Sequence, residues 1–140
     1  MNLRHFLFFA AFLTFGIGDA LTAALMINMK GHGAEFNFLF SDLYDSYGVV
    51  CFIIVKLILV IMVLFAAYVI SRCGGYWLIN GWLTALTIGG TMAMCSNLLS
   101  TYDIFYINPF RIIACYLVLT FVFVFAGAHF DTKKQELKNE

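Results

Sequence analysis

Four apolar stretches, each long enough to cross a bilayer, leave this chain few ways to fold. A membrane helix needs about 20 apolar residues at about 1.5 Å rise each. The stretches fall at 6–28, 48–71, 77–99 and 110–129. They are continuous runs, not the short alternating segments of a barrel. In lipid a backbone segment must satisfy its own hydrogen bonds, so each stretch is expected to be helical. Soluble domains are nearer half apolar and a quarter charged. Here 63% of residues are hydrophobic and 11% are charged, with a mean hydropathy of +0.92. The expected fold is therefore all-α: an integral membrane four-helix bundle forming one domain over 1–140. A formal net charge of zero leaves no basic footprint for phosphates, so nucleic acid is excluded as a partner.

The start Met-Asn-Leu-Arg-His followed by an apolar run has the look of a signal peptide. The run continues to Met29 and carries Asp19, which argues for a retained first span. Lys and Arg set the orientation. Arg4, Arg72, Lys133, Lys134 and Lys138 fall on one side of a four-crossing bundle, Lys30 and Arg111 on the other. Both termini are expected in the cytoplasm and the protein in the cell membrane.

The first outer loop has a pattern of its own. Phe36, Leu39, Phe40, Leu43, Tyr44 and Tyr47 recur at helical spacing and form one apolar stripe, with Asn37, Asp42 and Asp45 off it. Too short to span, the segment 36–47 is expected to be an amphipathic interfacial helix that lies on the outer leaflet or caps the bundle. The second connection contains Gly74-Gly75 and is short enough to enforce antiparallel neighbours. Asn108-Pro109 opens the last helix, and 131–140 is a charged tail on the cytoplasmic side. Small residues give two helices a close-packing face: Gly16, Ala20, Ala23 and Ala24 in the first, Ala85, Gly89 and Ala93 in the third.

Two charges interrupt the spans. Asp19 lies about 15 Å below the outer end of the first span, and Lys56 about 12 Å below that of the second, at about 1.5 Å per residue. An unpaired charge at that depth costs at least about 2.5–3.5 kcal/mol. The economical arrangement is an Asp19–Lys56 pair or a shared polar network. Thr22, one turn from Asp19, and Asn97, late in the third span, are placed to join it. Such a cluster is either a structural pair fixing helix register or a site for an ion, proton or polar solute. Neutralising Asp19 alone is expected to leave Lys56 uncompensated.

At these residues the chain resembles an uncharacterised family of small prokaryotic, largely archaeal, four-helix membrane proteins. The residues that carry the resemblance are Asp19-Ala-Leu-Thr22, Gly33-Ala-Glu35-Phe-Asn37, Gly48, Lys56-Leu57 and Asn97. The family pattern is D-x-x-x-T, a G-x-x-E-x-N-P turn, a K-L in the second helix and a late Asn. This chain has Phe38 at the proline position. The resemblance implies a polar core of Asp19, Thr22, Glu35, Asn37, Lys56 and Asn97, and no assigned activity.

Other chemistry is sparse. Cys51, Cys73, Cys95 and Cys115 form no Cys-x-x-Cys pair and read as small apolar packing. His5 and His129 sit at helix ends, a poor haem arrangement. His32, Glu35, Asp42 and Asp45 match no calcium or zinc loop. No catalytic residue, metal or cofactor is assigned. The outer-face polar residues His32, Glu35 and Asn37 complete the candidate set. Three functions are weighed. The first, and the one the sequence favours, is a non-catalytic structural or accessory subunit of a larger membrane complex. The second is a homo-oligomeric channel or transporter for a cation, proton or small polar solute, working through Asp19 and Lys56. The third is a membrane enzyme with Asp19, Glu35 and His32 as acid-base groups, which nothing in their spacing requires. The partners expected are the lipid bilayer and either other membrane subunits or copies of the chain.

Overall fold

The computed structural model describes residues 2–35, 37–72 and 74–139, and the side chains of all of these except His32, Lys138 and Asn139. Four long helices account for nearly all of the described residues, which contain no strand. We label them α1 (Leu3–Lys30), α2 (Phe38–Arg72), α3 (Tyr76–Thr101) and α4 (Pro109–Asn139). Each is long and apolar enough to cross a membrane, as a multi-pass membrane protein requires. Phe36 and Cys73 lie outside the described residues.

The helices are not equivalent. α3 is central, packed along its length against α1 on one side and α4 on the other. α2 packs mainly on α1, and it scarcely meets α4 among the described residues. Missing side chains permit this closeness. A Cβ on Gly90 would lie 2.4 Å from the Phe15 backbone nitrogen of α1, and one on Gly127 would lie 2.3 Å from the Trp77 carbonyl oxygen of α3. The small-residue face of α3 is thus split. Gly90 meets α1, whereas Gly89 meets the Tyr116 ring of α4. Backbones that approach this closely gain dispersion contact, the main attraction open to helices in lipid.

The half of the bundle nearer the termini holds an apolar core of Ala11, Val60, Leu64, Ala67, Ile79, Leu83 and Leu86. At that end Asp131 of α4 reaches back over the start of α3. Its carboxylate accepts the Trp77 and Leu78 backbone N–H groups at 3.0 Å, capping a helix whose own N-cap residue, Gly75, has no side chain to do so.

Two local irregularities shape the other half. α1 widens into a π-helical stretch at Phe12–Gly18, where the Asp19 N–H reaches back to the Thr14 carbonyl. The second irregularity is Gly48 in α2, at φ 78° and ψ 176°, a conformation open essentially only to glycine. The helix doubles back there. Phe40 and Tyr44, before the glycine, stand edge-on to the Phe52 ring beyond it, with centroids 5.9 and 5.6 Å apart. The stripe expected over 36–47 is therefore divided. Phe40 and Tyr44 pack inward with Ala23, Ala24, Ile27 and Phe52, whereas Leu39 and Tyr47 stay exposed, as does Phe38 off the stripe.

Candidate binding site around Asp19, Lys56 and Asn97

Asp19, Lys56 and Asn97 come from three different helices. Asp19 stands where the π-helical stretch of α1 ends. Lys56 is two turns beyond the Gly48 break in α2, and Asn97 is one turn before the end of α3. The Lys56 ammonium donates to Asp19 Oδ2 at 3.1 Å. The Asn97 amide nitrogen donates to Asp19 Oδ1 at 3.2 Å and to Thr22 Oγ1 at 3.1 Å. Thr22 in turn donates to the Gly18 carbonyl oxygen at 2.8 Å. Three helices are thereby tied by one network, with both carboxylate oxygens of Asp19 engaged.

Glu35 completes it from the loop. One of its oxygens lies 3.8 Å from Lys56 Nζ, and the other accepts the Asn37 N–H at 3.1 Å. Asn37 is itself the cap of the short arm of α2, its side chain accepting the Leu39 N–H at 3.1 Å. Glu35 therefore joins the loop to the polar cluster between the helices, and Asn37 holds the loop in place without touching Lys56. The burial is substantial. Lys56 is 12% exposed and Glu35 11%, with Asp19 at 23%. Aromatic faces finish the cage. Lys56 Nζ lies 5.3 Å from the Phe40 centroid and 5.1 Å from that of Phe52.

Two sequence expectations change here. Lys56 has a second carboxylate, so neutralising Asp19 does not strip it of compensation. The motif spacings are also one residue shorter than the family pattern quoted above. Asp19 and Thr22 are three apart and Gly33 and Glu35 two apart. Three apart suffices on a helix, because i and i+3 share a face.

The cluster forms the floor of a cavity of about 530 Å³. Ser96, Ser100 and Tyr106 add hydroxyls to its wall, while Phe15, Ile112 and Ile113 make it apolar elsewhere. Ser96 and Ser100 lie one helical turn apart on α3, on either side of Asn97 in the chain, a spacing legible in the sequence yet unused. The π-helical stretch had no such signal. It matters because π segments re-aim the side chains that follow them and recur at functional sites. The cavity sits at the end of the bundle remote from the termini, and the apolar core lies between it and the other end.

The remaining candidates do not converge on it. The His32 side chain lies outside the described residues. Asp42 and Asp45 are on the exposed side of the short arm, and no trio of His, Cys, Asp or Glu among the described residues is placed to hold a metal. His5 and His129 are exposed. Cys95 and Cys115 are exposed free thiols on helix surfaces, so interior packing does not account for them.

No curated protein and no solved structure matches the chain. A family match does exist. Residues 10–103 match the domain of unknown function DUF5658, a segment that spans every member of the polar cluster and leaves α4 outside, and by that match the chain belongs to the DUF5658 family.

Proposed function

We propose that this chain is a membrane transporter subunit that binds a small cationic solute in the Asp19–Lys56 cavity and works as a homo-oligomer. One observation carries the reading: the cavity floor holds two carboxylates against one ammonium. In a low-dielectric site an excess charge is neutralised by a counter-charge or by a proton. A volume of about 530 Å³ falls within the usual range for small-molecule sites. An ammonium or guanidinium group would find Asp19 and Glu35 as acceptors and the Ser96, Ser100 and Tyr106 hydroxyls as further partners. An apolar core lies between the cavity and the other end of the chain, so in this reading movement across the membrane uses a rearrangement or neighbouring copies.

In this reading the cavity faces outward and both termini face the cytoplasm across the cell membrane. The Lys/Arg bias supports that orientation. The exposed Phe38, Leu39 and Tyr47 of the short arm then sit at the bilayer interface.

The test is calorimetric titration of the purified protein with sodium, potassium, ammonium, guanidinium and choline salts. Flux of any binder is then followed in proteoliposomes. The expected result is saturable binding of at least one organic cation and flux that Asp19→Asn abolishes. Wild-type protein that neither binds nor moves any of these cations sinks the reading.

A second reading, an accessory subunit of a larger membrane complex, is favoured by α4. Almost none of its span is buried, and Phe110, Leu117, Phe121 and Phe125 all lie exposed along it. Extraction in mild detergent followed by native mass spectrometry separates the two. Unlike chains at fixed stoichiometry support the subunit, and copies of this chain alone support the transporter.

A further inference from the structure

A second polar cleft lies at the opposite end of the bundle, where α1, α3 and α4 meet the turn after α2. It encloses about 340 Å³ and is lined by Arg4, Ser71, Gly75, Tyr76, Asp131 and Lys134 among others. Its charges do not cancel. The carboxylate of Asp131 is already committed to the Trp77 and Leu78 N–H groups at 3.0 Å. Neither Arg4 nor Lys134 makes an ion pair among the described residues. Arg4 is nonetheless held in place. Its guanidinium stacks 4.5 Å from the Tyr76 ring centroid and donates to the Tyr76 carbonyl oxygen at 3.5 Å, while its buried Nε has no partner among the described residues. Arg72, held to the Tyr68 hydroxyl, stands beside it in the adjoining groove, which Arg4, Ser71 and Tyr76 also line.

Arg4 is thus a preorganised cation, with the exposed Lys134 beside it, at the level where an apolar span gives way to a charged tail and Trp77 packs on Phe130. Lipid phosphates lie at that level. We propose that the cleft binds the phosphodiester of an anionic membrane lipid, with Arg4 and Lys134 as its two anchors. Arginine presents paired donors to phosphate oxygens and lysine a point charge. Basic pockets between membrane helices select anionic headgroups over zwitterionic ones by this means. The site is independent of the cavity described above and survives if the transport reading fails.

The test is native mass spectrometry of the purified protein offered equal phosphatidylglycerol and phosphatidylcholine. With two basic anchors the wild type is expected to retain the anionic lipid about 25-fold over the zwitterionic one, and Lys134→Gln to lower that to about fivefold. Arg4→Gln combined with Lys134→Gln brings it close to equality. Lys133→Gln, the same loss of charge one residue away, leaves the preference intact. Millimolar inorganic phosphate leaves the bound lipid in place. Equal retention of both lipids by the wild type overturns the proposal, as does an unchanged preference in Lys134→Gln, which alters only a side chain in the exposed tail. Displacement by inorganic phosphate also overturns it, because the site would then be one for a free anion.

Discussion

Removing the cation from the intramembrane cluster and removing one anion should have very different consequences. At an effective dielectric near 20, a contact at 3.1 Å is worth about 5 kcal/mol and one at 3.8 Å about 4 kcal/mol before desolvation. Lys56→Met loses both and leaves two carboxylates, Asp19 and Glu35, in a largely buried site. Part of the loss is returned because the ammonium no longer needs to be desolvated. Measured costs of breaking a buried pair from one side are about 3–5 kcal/mol. Asp19→Asn loses only the nearer contact. Glu35 still compensates Lys56, and the new amide oxygen still accepts from Lys56 or Asn97. What is lost is charge assistance on those hydrogen bonds, about 1–2 kcal/mol. The gap of about 2 kcal/mol is more than a tenfold difference in the unfolding equilibrium. Adding Glu35→Gln to Asp19→Asn strips Lys56 of both carboxylates and should return the cost to about 3–5 kcal/mol. The assay is unfolding of the purified protein in mixed micelles of rising dodecyl sulfate content, followed by tryptophan fluorescence and helical circular dichroism. If Asp19→Asn is as destabilising as Lys56→Met, Glu35 does not compensate Lys56 and the three-charge account is wrong.

Other perturbations test the scaffold. Asp131→Ala removes the cap that α4 supplies to α3 and should cost about 1–2 kcal/mol, read as an earlier unfolding midpoint in the same micelle titration; an unchanged midpoint refutes the cap. Gly90→Ala places a Cβ 2.4 Å from a backbone atom of α1, so the helices must part, at about 1–3 kcal/mol. Wild-type stability in that variant would mean that α1 and α3 do not cross there. Gly48→Ala forces an L-residue into glycine-only backbone space, at about 1–3 kcal/mol. Because the short arm carries Phe40 over Lys56, its amides over 38–47 should also exchange hydrogen faster, and unchanged exchange would show that the fold-back does not depend on Gly48.

How much was legible beforehand follows from the range of the physics involved. Apolar length is a local property, and it sets four helices because lipid offers no partner to an unsatisfied backbone. The depths of Asp19 and Lys56 follow from counting residues along helices of known rise, so their shared level needed no structure. Thr22 and Asn97 were readable for the same reason. Glu35 entered the polar core only through the family resemblance, since no periodicity places a loop residue. Its approach to Lys56 depends on the turn over 31–37 and on the cap at Asn37, both tertiary facts.

The short arm of α2 shows the division most clearly. Its stripe was visible as a pattern of residues, but a stripe says only that one face is apolar, not what will cover it. The positive φ at Gly48 sent Phe40 and Tyr44 back onto Phe52 and left Leu39 and Tyr47 outside. Likewise, small residues announced close packing in α3 without saying that Gly89 and Gly90 would serve different neighbours. The sequence by itself determined the class of fold, the number of spans and the level of the buried charges, since each depends on a single segment and its solvent. The tertiary structure alone decided that two carboxylates share one lysine, that the cluster opens into a cavity, and that Asp131 caps a helix not its own. Those facts arise from contacts between segments far apart in the chain, and no single stretch of sequence encodes them.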